Sequence, residues 1–306
     1  MEQVKVLVGC NDLCGECPLW DVSTQQLYWT DCVGLKIHKY GWVARRHECL
    51  SQGGEVNSFT FNAAGGFVVA NNSGLWQWDG SGTPRLIADT VEGIKCQLND
   101  SIADVSGRVL AGSWFYDPKR DYPLGHLIRV DLDGKCAILD EGIHLANGLG
   151  FSPDDRTLYF ADSVRRLIYA YDYEKQNGTA KNRRVFVNVP ATEGLPDGLA
   201  VDAEGFVWAA QWYGGCLVRY DPDGKLERRV DVPAKQTSNL AFGGPELTDI
   251  FITTAAKSEP MPVMPPGYDP DSGESGGPLY HVNLGIQGRP EPRARIRMGA
   301  AKDGGN

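Results

Sequence analysis

Phe151-Ser152-Pro153-Asp154-Asp155-Arg156-Thr157-Leu158-Tyr159-Phe160-Ala161-Asp162 decides the fold. An apolar residue leads into a tight turn built from Ser, Pro and Asp. An alternating strand follows and ends on a polar residue. Turn chemistry of this kind between two extended runs marks a hairpin. The same unit recurs on either side. Upstream, residues 20–23 lead to the strand 27–31, residues 61–66 to 67–71, and residues 103–107 to 108–112. Downstream, residues 201–205 lead to 206–210, and residues 242–245 to 250–253. Six copies at intervals of roughly 40 to 50 residues match the period of a four-stranded propeller blade. Further alternating runs follow within the units, such as residues 127–131, 167–172 and 217–221, and a helical period is nowhere sustained. The expected fold is therefore all-β, a six-bladed β-propeller. Residues 4–8, Val-Lys-Val-Leu-Val, precede the first unit. They are expected to complete the last blade and so close the ring, which removes an exposed sheet edge. In this reading residues 1–288 form a single propeller domain. Residues 257–277, rich in Pro, Gly and Ser, are a long loop in the sixth unit, and residues 289–306 are a polar, disordered tail.

Composition narrows the function. The 306 residues carry a net charge of −9. Nucleic-acid binding draws on concentrated Lys and Arg, so this balance argues against it. The first residues lack the basic start and apolar run of a signal peptide. No stretch approaches a membrane span. Eight cysteines in a chain of this kind read as reduced thiols, which points to the cytoplasm.

Counting back four residues from the leading residue of each unit gives Glu16, Asn57, Asn99, Asn147, Asp197 and Ser238. All six are polar within partly apolar surroundings. The leading strand of a propeller blade is the innermost one, so the six positions form a ring around the channel. A water-filled channel would be polar for that reason alone. The sharper reading is that Glu16, Asn147 and Asp197 converge on one divalent cation. Carboxylate and amide oxygens suit Ca²⁺, Mg²⁺ or Mn²⁺ by hardness. Three protein ligands leave positions for water and substrate, as Lewis-acid catalysis requires.

Four stretches then carry a resemblance. They are Gly15-Glu16-Cys17-Pro18-Leu19-Trp20, Leu98-Asn99-Asp100, residues 146–154 (Ala-Asn-Gly-Leu-Gly-Phe-Ser-Pro-Asp) and residues 195–202 (Leu-Pro-Asp-Gly-Leu-Ala-Val-Asp). In order and register, they resemble the SMP-30/gluconolactonase/regucalcin family. The resemblance implies a six-bladed propeller with one divalent metal (Ca, Mg, Mn or Zn) and lactonase activity on aldonolactones. It places the metal on Glu16, Asn147 and Asp197 and the substrate on Asn99, with Asp117 as the acidic sugar contact. Two positions depart from the pattern. Cys17 stands where the family usually has Gly, and Gln97 stands where animal members carry Arg.

The expected reaction is hydrolysis of a small sugar lactone to its acid. Asp197 is the candidate general base, and Gln97, Asn99 and Asp117 would hydrogen-bond sugar hydroxyls. The negative charge of Asp117 favours an unphosphorylated five- or six-carbon lactone. Trp114, Tyr116, Tyr122, Trp212 and Tyr213 could wall the pocket or pack between blades. Two other classes remain open, a non-catalytic metal-binding or regulatory propeller and a metal-dependent esterase or phosphotriesterase. Residues 273–278, Gly-Glu-Ser-Gly-Gly-Pro, imitate a nucleophile elbow around Ser275 but lack the strand and helix that an elbow needs. Cys14 and Cys17 form a C-x-x-C without a second matched pair, so structural zinc is not expected there.

Overall fold

The computed structural model describes residues 3–114, 125–256, 263–269 and 273–297. Among these, six four-stranded antiparallel sheets stand in a ring as propeller blades. Blade 1 runs from its inner strand Gly15–Asp21 through Gln26–Asp31 and Lys36–Gly41 to Arg46–Gln52. The inner strands of blades 2 to 6 are Ser58–Phe61, Leu98–Ala103, Ala146–Phe151, Leu195–Val201 and Thr237–Gly243. Each is joined by a short turn to the second strand of its blade, as the hairpin chemistry predicts. In the quoted stretch, Asp155 takes φ 58° inside that turn.

Blade 6 is closed from both ends of the chain. Its strands are Thr237–Gly243, Asp249–Thr254, Leu279–Asn283 and Lys5–Val8. The opening strand pairs antiparallel with Leu279–Asn283, with Lys5 opposite His281 and Val6 opposite Tyr280. Hydrogen bonds thus close the ring where a free edge would otherwise remain.

The core lies between blades. Six clusters of buried apolar side chains each join two neighbouring blades of the described chain. Trp208 of blade 5 meets Phe242 of blade 6 edge to face, and Trp20 of blade 1 stacks on Phe251 of blade 6 at 5.5 Å. Alternation along each strand feeds one face to one neighbour and the other face to the next. The inner edge is left to polar residues.

Residues 289–297 depart from the expected disordered tail. Gln287 O accepts from Ala203 N–H of blade 5, and Gly288 N–H donates to Leu247 O of blade 6. Arg289 donates to Phe151 O and Ser152 O of blade 4. Arg293 pairs with Asp21 of blade 1 at 2.5 Å. Ala294 exchanges backbone bonds with Phe61 and Ala63 of blade 2, and Arg295 N–H donates to Gly107 O of blade 3. Ala294 and Ile296 are buried. Residues 287–297 together form a strap that touches all six blades at the base of the propeller. Apolar burial and backbone pairing outweigh its charged composition.

Candidate active site

The six ring residues sit near the start of their inner strands, at the mouth of the channel. In five of the six blades the pairing between inner and second strand is irregular at this point. A bulge re-aims side chains and bends the strand. In blade 1 it places Cys17 at φ 47°. That is the left-handed region, which glycine enters without strain. Cys17 is buried, its thiol donates to Phe59 O at 3.3 Å, and its sulfur accepts from Phe59 N–H at 3.2 Å. Burial pushes this thiol well above the ordinary range.

The ring residues divide by what they donate. Asn57 Nδ2 donates to Leu98 O of blade 3 at 2.7 Å. Asn99 Nδ2 donates to Ala146 O of blade 4 at 2.9 Å. Ser238 Oγ donates to Gly15 O of blade 1 at 2.5 Å. At two further junctions a second-strand hydroxyl, or the one just after it, takes this part. Thr30 Oγ1 donates to Val56 O of blade 2 at 2.7 Å, and Ser163 Oγ to Pro196 O of blade 5 at 2.6 Å. Each bond ends on the carbonyl just before the next ring residue. These are clasps between neighbouring blades, and they account for part of the ring's polarity on structural grounds.

Glu16 and Asp197 stand outside this pattern. As carboxylates they cannot donate. Glu16 Oε2 accepts from Asn239 Nδ2 at 3.1 Å and from Cys17 N–H at 3.3 Å. Asp197 is buried, and among the described residues its carboxylate accepts no hydrogen bond. Burial, with the charge of Asp100 second, lifts Glu16 to about 8. Asp197 is pushed well above the carboxylate range by burial, then by Glu16 and Asp100. Asp100 rises to about 6 through burial. Among the described residues, no basic side chain acts on these three acids. An acidic charge held away from water is favoured by a nearby positive charge.

Asn147 completes the group. Its Nδ2 donates to Ser163 Oγ at 2.9 Å, and its Oδ1 accepts from Asn99 Nδ2 at 2.7 Å. The amide is thereby oriented with Oδ1 as its acceptor end. Gly148 and Gly198, which follow Asn147 and Asp197, allow the inner strands to crowd together. A Cβ on Gly148 would lie 2.2 Å from Leu199 N, and one on Gly198 would lie 2.0 Å from Asn239 Cγ.

Of the expected substrate residues, Asn99 has both amide hydrogens engaged, which directs its Oδ1 elsewhere. Gln97 is half-buried just before the blade 3 inner strand, and its carbonyl accepts from Trp114 N–H at 2.9 Å. Trp114 Nε1 donates to Asn72 Oδ1 at 3.0 Å, and Asn72 in turn donates to Glu55. Asn72 and Glu55 therefore join the rim of the mouth, although the repeat gave no sign of them. Tyr213 is buried against Tyr268, with ring centroids 4.6 Å apart. Asp117, Tyr116 and Tyr122 lie outside the described residues. Ser275 Oγ donates to Ala256 O. The two sulfurs of the C-x-x-C diverge, because Cys17 is held by Phe59 while Cys14 faces Cys32.

The channel continues below the ring into a small cavity of about 50 Å³ lined by Cys17, Thr60, Asp100, Ser101, Asn239 and Glu291, among others. Glu291 comes from the strap. Burial, opposed by Arg289 and aided by Asp100, lifts it to about 7.

Residues 14–256 match the family described as SMP-30/Gluconolactonase/LRE-like region. Pentonolactonase XacC of Haloferax volcanii is 34% identical over 285 residues, which cover 93% of this chain and 96% of that protein. The 6-deoxy-6-sulfogluconolactonase of Pseudomonas putida is 33% identical over 261 residues, 84% of this chain and 88% of that protein. A solved structure described as a calcium-binding protein, regucalcin, from Agrobacterium tumefaciens matches with a TM-score of 0.81 at 26% identity, covering 95% of this chain and 97% of that one. The chain is a member of the SMP-30/gluconolactonase/LRE-like family.

Proposed function

We propose that this protein hydrolyses the ring ester of a small sugar lactone, using a divalent cation held by Glu16, Asn147 and Asp197. One observation carries the reading. The two acidic members of the ring take no part in clasping the blades, Asp197 buried and Glu16 half-buried, and among the described residues neither has a basic partner. Structural economy would favour donors at these positions, so their acidity needs another reason. Two relatives named as sugar lactonases, similar over most of the chain, supply the reaction class. The donor set of two carboxylates and one oriented amide oxygen fits a hard cation, Ca²⁺, Mg²⁺ or Mn²⁺, better than Zn²⁺. When bound, the cation supplies positive charge that polarises the ester carbonyl and acidifies water.

The chain's own residues do the rest. Asp197 takes a proton from the attacking water at its carboxylate, which lies in the drier part of the site. The Asn99–Asn147 hydrogen bond keeps the Asn147 oxygen turned as an acceptor. Gln97, Asn99 and Asp117 read the sugar hydroxyls, Gln97 through an amide that both donates and accepts. The favoured lactone is an unphosphorylated five- or six-carbon aldonolactone, since Asp117 adds negative charge.

Proton release separates this reading from its rivals. Aldonolactones, aryl esters and phosphotriesters would be compared after chelation and after return of Ca²⁺, Mg²⁺, Mn²⁺ or Zn²⁺. Cation-dependent hydrolysis preferring aldonolactones is expected. Tight cation binding without turnover would mean a regulatory propeller, and faster attack on aryl esters or phosphotriesters would change the substrate class.

A further inference from the structure

Cys14 lies just before the inner strand Gly15–Asp21 of blade 1, and Cys32 just after the second strand Gln26–Asp31, both at the mouth of the channel. Gly15 pairs with Asp31 in that antiparallel ladder, so the next pair outward is Cys14 opposite Cys32. Cys32 N–H donates to Cys14 O at 2.9 Å. Directly opposed residues project their side chains to the same face. Asp31 fixes both segments, since its Oδ1 accepts from Cys14 N–H at 3.0 Å and from Gly34 N–H at 2.8 Å. Opposed residues of a hydrogen-bonded pair have Cα atoms about 5.5 Å apart, within the span a disulfide bridges. Both cysteines are half-buried, whereas Cys10, Cys17, Cys96 and Cys216 are buried.

We propose that Cys14 and Cys32 are a site of reversible covalent modification, a cross-strand disulfide that forms under peroxide and weakens cation binding at the mouth of the channel. The bond to the cation site rests on the functional reading above. Only Gly15 separates Cys14 from Glu16, and only Asp31 separates Cys32 from Thr30, the residue paired with Glu16. The cysteine pair therefore flanks the backbone that carries Glu16. In the first step the Cys32 sulfur attacks peroxide, because the Cys14 thiol is held well above its ordinary range; the O–O bond breaks, and a sulfenic acid and one water result. In the second, the other thiol attacks that sulfur, the S–O bond breaks, and a second water leaves. Two thiols are oxidised by two electrons, and one peroxide is reduced to two waters. The S–S bond, about 2.05 Å long, fixes the side-chain torsions of both cysteines and locks the backbone that leads into the bulge, so that Glu16 can no longer adjust to the cation.

The test joins a chemical map to a binding measurement. The full chain is treated with hydrogen peroxide, digested without reduction, and mapped by mass spectrometry. Affinity for Ca²⁺ and for Mn²⁺ is measured by calorimetry before oxidation, after it, and after dithiothreitol. A peptide linking Cys14 to Cys32 is expected, with cation affinity falling about 10- to 100-fold and returning on reduction, the scale of effect seen when groups supporting a ligand are disturbed. Cys32→Ser should bind cation normally and lose the peroxide response. Separate thiols or singly oxidised cysteines after treatment would overturn the proposal, as would a formed disulfide with unchanged affinity. Should the reduced protein bind no cation, the functional reading fails, and the peptide map still decides whether the bond forms.

Discussion

Glu16 and Asp197 share a channel in which the charge of Glu16 raises the cost of ionising Asp197, and the charge of Asp100 raises it for both. Removing one charge should therefore have opposite effects on binding and on the cation-free fold. In Glu16→Gln and Asp197→Asn we expect cation affinity to fall by at least about 100-fold, because a ligand charge is lost from a preformed site. The melting temperature in chelator should rise, because a buried repulsion disappears. Calorimetry and thermal unfolding in EDTA check both. Unchanged affinity would remove these residues from the cation site. The same charges set a pH dependence. A carboxyl with an ordinary value near 4.5 is lifted in the fold to about 8 at Glu16. The fold thus binds the proton more tightly than the unfolded chain does. Stability is full below pH 4.5 and declines as pH rises toward 8. Cation-loaded protein should not decline in this way, since the cation needs the ionised form. Melting temperatures at pH 5 and 8, with EDTA and with saturating Ca²⁺, test the sign. Glu16→Gln should lose much of the decline in chelator, and a wild-type slope there would assign it to other groups.

At the scale of strands, the bulges and the clasps carry the argument. Asn57, Asn99 and Ser238 each reach across to a backbone carbonyl of the next blade. Ser238→Ala leaves the Gly15 carbonyl short of its donor and should cost about 1 to 3 kcal/mol. Urea denaturation measures it, and near wild-type cation affinity is expected because Glu16 keeps its contact with Asn239. The ring was legible in the sequence because the hairpin unit recurs six times and fixes the offset of four residues. Which members clasp and which bind was not legible, since Asn serves either purpose and Thr30 lies outside the counted offset. Asp100 escaped notice for a related reason. It follows a ring residue, where a regular strand would turn it away from the channel, and only the bulge between Leu98 and Ser101 brings it in. Cys17 had a clue in the family's glycine, and φ 47° supplies the physical cause.

On the scale of the molecule, the strap is the feature that departs furthest from composition. Residues 293–297 read Arg-Ala-Arg-Ile-Arg, and the charged residues suggested a solvated tail. The alternation is nonetheless that of an extended chain with one buried face, and the structure buries Ala294 and Ile296. Five residues preceded by Pro290 and Pro292 are too few to stand out against a six-fold repeat. Ile296→Ala should destabilise the protein by about 2 to 4 kcal/mol, the usual range for an aliphatic side chain removed from a core. Guanidinium unfolding checks the value. A loss below half a kcal/mol would mean that the strap rests on the propeller without holding it.

The closure of blade 6 bears on how the protein is made. Lys5–Val8 is synthesised before the five blades that separate it from its partner Leu279–Asn283. Five blades can form behind the ribosome in order, from chain already present. The sixth cannot, and the strap follows its last strand. Until then the opening strand has no partner, and an unpaired strand is open to pairing with another chain. A nascent propeller of this design is therefore exposed to misassembly until Leu279–Asn283 has been made.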